Sequence, residues 1–493
     1  MSAPLAADAA ARGGTVGLYE ELRAFELRHA LFEREVGGVP FWELTRYPIF
    51  CAVATERGLW GRGDGEDARG ASRPGVGERL RFGLEQLFRL PRGRLPSGGA
   101  PLLVVGHPRR KRRADGRWWD PYLDPVADHC RRLGLAPVFV EPPHRGRFHY
   151  APAHTPGLVY LDRHIAWARL RPGRGLALGS GDADALAALD AALRAELGSS
   201  VSLAHNARRV LRRFADDRFM WARILDRVRP RAVLFTAGAG QEGLVAAARA
   251  RGVASVELQH GTPVAGKLNY DYDRGDKPRR LFADWFAVYG DYWKRRNDWP
   301  IAPERVFELG CPSFQLAQRA LAGTPRGRRE VVFVSQATIG RDLARFAAAL
   351  SRALPESWRL VYKLHPEEIG RAERRPPELA GSRVEVVADR EADLHALLAG
   401  AEFQVGVYST ALYEGIGLGC KTVLVDLPGV EYMRDLVERG MAAVVSEASR
   451  FEGACEQLRS APDFAPALFG RDWEAQLERF LREGLGFEGG RAG

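Results

Sequence analysis

The stretch that decides the fold is residues 331–350, which reads VVFVSQATIGRDLARFAAAL. The apolar run over 331–335 predicts a buried strand, and residues 336–338 follow it as a short loop. Apolar residues at helical spacing then predict a helix over 341–353. A strand that leads through a short loop into a helix is the repeating unit of α/β proteins with parallel sheets.

The same alternation of strand and helix recurs along most of the chain. In the first half, strands are predicted at 102–106, 136–141, 232–236 and 254–259. In the second half they are predicted at 284–290, 305–310, 331–335, 359–363, 384–387, 403–407 and 422–425. Helices are predicted between them at 124–133, 182–227, 243–252, 341–353 and 391–400. This alternation predicts an α/β protein with two Rossmann-like, doubly wound domains, each a parallel sheet covered on both faces.

The length of 493 residues is too great for one hydrophobic core, which favours several domains. We expect a mostly helical N-terminal extension (1–98), with a loop at 61–78 and a helix at 79–90. A first Rossmann-like domain (99–280) and a second one (281–472) follow. The chain then closes with a helix and tail (473–493), and that helix, at roughly 473–484, is a candidate to cross back to the first half.

Composition and charge narrow the class of protein. No stretch reaches the roughly 18 apolar residues that a spanning helix needs, and the N-terminus lacks the apolar core of a signal peptide. A cytoplasmic protein is therefore expected. The five cysteines are scattered and include no C-x-x-C, which argues against disulfides and a zinc site. No metal or cofactor is predicted.

The net charge of +10 comes mainly from arginine. Basic clusters lie at 109–113, 208–213 and 326–329, and each alone is best interpreted as a solvated loop. Together they are compatible with an acidic membrane surface or an anionic polymer, and so with a peripheral position at the inner face of the plasma membrane. Nucleic acid is not an expected partner, because no recognition helix, finger or RNP-like pattern is present.

Three predicted strand ends in the second half carry side chains suited to a phosphate. The ligands of parallel sheets bind at the carboxyl ends of strands, and helix N-termini offer free N–H groups to anions. Taken singly, these residues are as well explained as helix caps or a structural histidine. Their repetition in one half favours a nucleotide site instead. The candidate donor-binding residues are Ser335, Gln336, Thr338, Lys363, His365, Pro366, Tyr408, Ser409, Thr410 and Glu414.

The first half presents a comparable strand end at His260. A histidine there is suited to act as general base toward a hydroxyl, or to orient a phosphate. Glu242, at a neighbouring strand end, is a second candidate base. Further candidates for an acceptor site in a cleft between the two halves are Gly261, Thr262, Lys267, Tyr270 and Asp271. The Asp-Tyr-Asp triplet at 271–273 is discounted as a metal clamp because no third ligand is evident.

With these residues in view, the chain resembles the GT-B glycosyltransferase superfamily, and within it the bacterial surface-polysaccharide branch. That branch includes capsule Kdo transferases, polysialyltransferases and teichoic-acid glycerophosphate transferases. The matching pieces are Gln-His-Gly-Thr-Pro (259–263), Ser-Gln-x-Thr (335–338), Lys-Leu-His-Pro (363–366) and Val-Tyr-Ser-Thr-Ala-Leu-Tyr-Glu-Gly (407–415). The resemblance covers roughly residues 100–440.

The resemblance implies that the first domain holds the acceptor and the second the nucleotide donor. It implies that His365 and Pro366, with Ser409 and Thr410, contact the donor phosphate, and that His260 lies in the cleft. The expected function is inverting, metal-independent glycosyl or polyol-phosphate transfer, with a CMP-sugar acid or CDP-polyol donor favoured. A UDP-sugar transferase, a sugar-nucleotide epimerase and a non-catalytic polysaccharide assembly factor are the alternatives. The expected acceptor is a glycan or lipid-linked glycan.

Overall fold

The structure is a computed structural model. It describes residues 14–59, 94–107, 110–144, 149–171, 178–263, 268, 270, 272, 279–369, 375–389 and 392–487. The chain divides into two compact units. The first unit comprises residues up to 287 together with 296–307 and the C-terminal stretch from 477, and the second comprises 288–295 and 308–476. The predicted loop at 61–78 and helix at 79–90, and Lys267 and Asp271, lie outside the described residues.

The first unit is built on a seven-stranded sheet with the strand order β5-β4-β1-β6-β7-β8-β9. The five pairings from β5 across to β8 are all parallel. A small antiparallel pair, β2 and β3, stands apart from it. The strands are β1 (Leu102–Val105), β2 (Lys111–Arg112), β3 (Trp118–Trp119), β4 (Val138–Glu141), β5 (Val159–Tyr160), β6 (Ala232–Thr236), β7 (Ala254–Leu258), β8 (Trp285–Val288) and β9 (Val306–Glu308).

The second unit is built on a six-stranded sheet with the order β12-β11-β10-β13-β14-β15, and all of its pairings are parallel. The last four residues of its central strand β10 (331–334) form a buried apolar run, as is usual for a sheet covered on both faces. The strands are β10 (Gly327–Val334), β11 (Arg359–Lys363), β12 (Glu385–Val387), β13 (Ala401–Gly406), β14 (Lys421–Val425) and β15 (Ala442–Val445).

Both sheets reverse their strand order at one point. The strands of each sheet can be numbered along the chain, leaving out the antiparallel pair β2 and β3. The first six strands of each sheet then have the order 3-2-1-4-5-6. The reversal falls between β1 and β6 in the first unit and between β10 and β13 in the second. This is the Rossmann order, and it confirms the prediction of an α/β fold with two doubly wound parallel sheets. The cleft expected between the halves stays a prediction.

The helices largely follow the predicted pattern. Those of the first half are α1 (Thr15–Arg28), α2 (Phe41–Glu56), α3 (Asp124–Arg132), α4 (Asp162–Leu170), α5 (Ser180–Leu197), α6 (Leu203–Val228) and α7 (Glu242–Arg249). Those that follow are α8 (Asp291–Arg296), α9 (Pro312–Leu321), α10 (Gly340–Ala353), α11 (Leu394–Gly400), α12 (Thr410–Gly417), α13 (Arg434–Glu438), α14 (Phe451–Arg459), α15 (Ala465–Phe469) and α16 (Trp473–Arg479), which runs into a π-helical turn (Phe480–Gly484). None of the helices in the described part of the chain combines the length and apolar character needed to cross a bilayer.

Helices α1 and α2 of the N-terminal extension share one core with α5 and α6. A buried ion pair joins α1 to α2. Arg46 Nη2 of α2 donates to Glu26 Oε2 of α1 over 3.0 Å, and Trp42 Nε1 of α2 donates to Glu26 Oε1 over 3.0 Å. Arg46 Nη1 also donates to the Leu268 carbonyl at 2.7 Å. The extension is therefore an integral layer of the first unit.

One helix prediction was wrong, and four strands were not predicted. The helix predicted over 182–227 is two helices, because Gly198 takes a φ of 62° and Ser202 starts α6 by accepting from the His205 N–H. Strands β2, β3, β5 and β15 were not predicted. The cluster at 109–113 is also not entirely solvated, since Arg110 is buried.

Candidate functional site

Three loops of the second unit emerge side by side at the carboxyl edge of its sheet. They follow β11, β10 and β13, which are adjacent strands. We call the residues 335–339, 364–369 and 407–409 the switch-point loops. They include most of the predicted donor-binding residues, and the strand order reverses between β10 and β13. Ligands of doubly wound sheets bind at this position.

Side chains join two of these loops directly. The Tyr408 backbone N–H donates to Gln336 Oε1 over 3.2 Å, and the hydroxyls of Tyr408 and Thr338 share a hydrogen bond. The Tyr408 ring is held from its other side, where it lies against the Gly429 backbone and 6.0 Å from the Tyr432 ring. A side chain at position 429 would collide with Tyr408, and the φ of 102° there also favours glycine. The loops after β10 and β13 are thus bound into one surface.

Ser335 lies beneath this surface and is only 3% exposed. Its hydroxyl is 2.9 Å from the Tyr362 hydroxyl, which in turn donates to the Gly340 carbonyl over 2.9 Å. Because Tyr362 uses its proton on Gly340, Ser335 is the donor in the first of these bonds. Tyr362 therefore links β11 to the first turn of α10, and Ser335 links the start of its own loop to Tyr362. The predicted direct contact of Ser335 with a donor stays a prediction.

His365 is partly exposed, with 38% of its side chain accessible to solvent. The Glu367 N–H donates to His365 Nδ1 over 3.3 Å, so the neutral ring carries its proton on Nε2. Glu368 accepts from the His365 N–H at 2.7 Å and holds the backbone. Pro366, next in the chain, is exposed. An Nε2–H group on a partly exposed side chain is a suitable donor to a phosphate oxygen.

Lys363 is more constrained than the sequence suggested. Its Nζ donates to the Asp389 carbonyl over 2.6 Å, and burial lowers the pKa of the ammonium group. This contact ties the end of β11 to the loop after β12.

Helix α12 begins at the third switch-point loop. Ser409 is its N-cap, and its hydroxyl accepts from the Ala411 N–H over 3.3 Å. Thr410 is exposed at the first helical position. Glu414, one turn on, is 2.9 Å from His395 Nε2.

In the first unit, His260 follows β7 and packs in a cluster of three rings. The His107 ring is stacked against it at 6.0 Å between centroids, and the Tyr122 ring meets it edge-on at 6.1 Å. His107 and Tyr122 also meet each other edge-on at 5.4 Å. The sequence prediction missed both, although His107 stands directly after β1, where the strand-end argument applied to His260 applies equally.

The residues on either side of His260 are held by the protein at two positions. Gln259 Nε2 donates to the Gly261 carbonyl over 2.7 Å, and Thr262 is buried. A side chain at position 261 would meet nothing within 4 Å.

Glu242 and Tyr270 line a small cavity in the interior of the first unit. Its volume of about 40 Å³ holds a few water molecules and no sugar nucleotide. Glu242 Oε2 accepts from the Gly240 N–H over 2.9 Å, and Glu257 Oε1 accepts from both the Gly238 N–H and the Tyr270 hydroxyl at 2.8 Å. Burial raises the pKa of Glu242, and it raises that of Glu257 to about 7.

No group of three or more potential metal ligands occurs within the described residues.

The sequence matches no protein-family model and no curated protein. Several solved structures are similar in fold. The UDP-GlcNAc 2-epimerase from Neisseria meningitidis bound to UDP-GlcNAc is 12% identical, with a TM-score of 0.46 over 78% of this chain and 99% of that one. The UDP-GlcNAc 2-epimerase from Methanocaldococcus jannaschii is 10% identical, with a TM-score of 0.45 over 77% and 98%. The glycotransferase of kitacinnamycin is 16% identical, with a TM-score of 0.40 over 80% and 96%. At these identities and scores the likeness says nothing about reaction or substrate.

Proposed function

We propose that the protein is an inverting glycosyltransferase of the GT-B type that acts in surface-polysaccharide biosynthesis with a nucleotide-activated donor. The observation that carries the proposal is the bridge from Tyr408 to Gln336 and Thr338, at the point where the strand order of the second unit reverses. That bridge supports a pre-formed nucleotide-phosphate site, since it holds polar loop residues in place before a ligand arrives.

In this proposal the switch-point loops bind the donor phosphate. His365 donates from Nε2, and Thr338 and Thr410 donate from exposed hydroxyls. The first N–H groups of α12 and its dipole add to the positive potential. Donors fixed in advance stabilise the charge that develops on the departing phosphate without rearranging during the reaction. Ser335, Lys363 and Ser409 hold the loops, Pro366 fixes the turn after His365, and Glu414 accepts from a ribose hydroxyl.

We propose His260 as the general base. It removes the proton of the acceptor hydroxyl as that oxygen attacks the reacting centre of the donor, and the bond from that centre to the departing phosphate oxygen breaks. His260 is favoured over Glu242 because Glu242 faces a cavity too small for an acceptor sugar.

A CMP leaving group is the favoured assignment. Transfer from a CMP-sugar acid releases CMP, and so does transfer of polyol phosphate from a CDP-polyol. The support is the Lys-Leu-His-Pro element at 363–366, which resembles the branches that use these donors. We propose a glycan or lipid-linked glycan as the acceptor. A lipid-linked acceptor would require the enzyme to act at the inner face of the plasma membrane.

A donor screen that measures nucleotide release tests this function. Purified protein is incubated with CMP-sialic acid, CMP-Kdo, CDP-glycerol and UDP-sugars, with and without oligosaccharide acceptors. We expect acceptor-dependent release of CMP that His260→Ala reduces at least a hundredfold, while Glu242→Gln keeps most of it. Acceptor-dependent release of UDP would support a UDP-sugar transferase. Interconversion of free UDP-sugars without acceptor would support an epimerase, and nucleotide binding without turnover would support an assembly factor.

A further inference from the structure

One buried carboxylate in the first unit ties together two segments that are separate in the chain. Asp120 is fully buried. Its Oδ2 accepts from the His107 N–H over 2.7 Å, and its Oδ1 accepts from the N–H groups of Tyr122 at 2.9 Å and Leu123 at 3.2 Å. The carboxylate thereby fixes the backbone of His107, just after β1, to the backbone of Tyr122, just before α3.

Asp120 lies close to one buried cation, Arg110, which it shares with Asp124 and Glu141. Arg110 Nη1 is 3.6 Å from carboxylate oxygens of both Asp120 and Asp124, and Arg110 Nη2 bonds to Glu141. Burial raises the pKa of Asp120, while Arg110 and the three N–H donors oppose that shift. Gly106 makes room for this guanidinium, because a side chain there would reach within 2.8 Å of Arg110 Nη2. A buried carboxylate whose two oxygens accept three backbone hydrogen bonds has little freedom to move.

The two residues whose backbone Asp120 holds are those whose rings pack on His260. The His107 ring lies nearly parallel to it, at 28°, and the Tyr122 ring lies at 83°. A stacked ring and a perpendicular ring limit the positions and tilts open to a third ring between them. Displacement of either backbone segment would therefore displace the imidazole of His260.

We propose that Asp120 is a positioning residue for His260, and that it acts through the rings of His107 and Tyr122. The inference rests on the proposed function in one respect, since it takes His260 to be the base. A general base must lie within hydrogen-bond reach of the proton it removes, and a displacement of 1 Å can cost on the order of a hundredfold in rate. Asp120 touches no substrate in this account, so its loss lowers turnover and leaves donor affinity unchanged.

The test measures the reactivity of His260 itself, using carbethoxylation by diethyl pyrocarbonate followed by mass spectrometry on the full-length protein. Asp120→Asn loses at least one of the three bonds, because both carboxylate oxygens accept a backbone N–H. In asparagine one of these oxygens is replaced by an NH2 group, which cannot accept. Tyr122→Leu removes one ring, and Tyr122→Phe keeps it. Asp128→Asn is the matched control, because Asp128 lies nearby in the chain, on helix α3, and bonds to Arg131 and His154 instead.

We expect the modification rate of His260 to rise about fivefold or more in Asp120→Asn and Tyr122→Leu, and to stay near the wild-type rate in Tyr122→Phe and Asp128→Asn. With an active donor, kcat falls at least tenfold in the first pair while the donor KM stays the same. An unchanged rate at His260 in folded Asp120→Asn and Tyr122→Leu would overturn the proposal, and so would an equal rise in Asp128→Asn. The modification rate of His260 can be measured even if the protein turns over no donor. Failure of the proposed function can therefore be distinguished from failure of the proposed role of Asp120.

Discussion

The Tyr408 N–H donates to Gln336 Oε1 across the point where the strand order of the second sheet reverses. The two residues are 72 positions apart in the chain, yet this bond and the Tyr408–Thr338 contact make one surface of two loops. Surfaces at such reversals are where nucleotides bind in doubly wound folds. The relationship is therefore the structural basis for our proposal that the second unit binds a nucleotide.

Replacing Gln336 with leucine removes the acceptor of this bond. A neutral hydrogen bond contributes about 1 kcal/mol, so we expect nucleotide affinity to fall about fivefold as the loop loses its fixed position. Isothermal titration calorimetry with the nucleotide that binds wild type measures the change. Gln457→Leu, at an exposed position on α14, is the control. Equal affinities for Gln336→Leu and wild type would contradict a role for the bridge in binding.

Replacing His365 with alanine removes the proposed Nε2–H donor to the phosphate. Hydrogen bonds to charged groups contribute about 1.5–3 kcal/mol, which predicts a loss of roughly tenfold to a hundredfold in nucleotide affinity. Affinity for the nucleoside, which has no phosphate, should not fall, because the effect depends on the phosphate charge. His205→Ala, at an exposed position on α6, is the matched control. An equal loss of nucleoside and nucleotide binding would argue that His365 supports the loop and does not contact phosphate.

Replacing Ser335 with alanine should affect stability more than binding. The hydroxyl is buried and donates to Tyr362, so its removal is expected to cost about 1 kcal/mol of unfolding free energy. Thr338→Val should show the reverse pattern, because Thr338 is exposed on the loop surface. Urea denaturation and nucleotide titration of both variants make the comparison. A large loss of affinity with no loss of stability in Ser335→Ala would instead establish a direct ligand contact.

Replacing Glu257 with glutamine should change how stability depends on pH. Burial raises the pKa of this carboxyl from an ordinary 4.5 to about 7. The folded protein then binds a proton between pH 4.5 and 7 that the unfolded chain does not, so the free energy of unfolding falls as pH rises through that window. The difference in pKa corresponds to about 3 kcal/mol of lost stability above pH 7.

Glutamine avoids that loss, since both hydrogen bonds of Glu257 go to Oε1, an oxygen that the amide keeps. The melting temperature of Glu257→Gln relative to wild type should therefore be higher at pH 8 than at pH 5. Glu438→Gln, at an exposed position, should show no such dependence. A constant difference between Glu257→Gln and wild type across this range would show that the buried carboxyl has an ordinary pKa.

The sequence predicted the fold well wherever a strand is a continuous run of buried apolar residues. The apolar run Ala232–Thr236 was predicted with its observed bounds, because every residue in it is buried. Strand β5 has only two residues and pairs with β4 alone, so it has no local pattern to detect. The break in the predicted helix at 182–227 depends on the single left-handed residue Gly198.

The candidate site was predicted less completely, for a physical reason. Strand-end residues such as His365 and Ser409 can be predicted because strand ends in a parallel sheet meet at one edge. The role of Tyr408 as a bridge depends on contacts with Gln336, Thr338 and Gly429, which no spacing along the chain reveals. Asp120 was missed for the same reason, because it meets the His107 N–H only in the folded protein. His107 follows a predicted strand, and the prediction did not use that strand-end signal.

The most direct test of the central claim is the change in thermal midpoint with added CMP, CDP, UMP and UDP. A ligand that binds only the native state raises the midpoint by mass action. We predict that a cytidine nucleotide raises the midpoint of wild type and has little effect on a Gln336→Leu, His365→Ala double variant. A response to uridine nucleotides alone would support nucleotide binding by the protein and contradict the proposal that the donor is a cytidine nucleotide. No response to any of the four at millimolar concentration, or equal responses of the double variant and wild type, would contradict nucleotide binding at the switch-point loops.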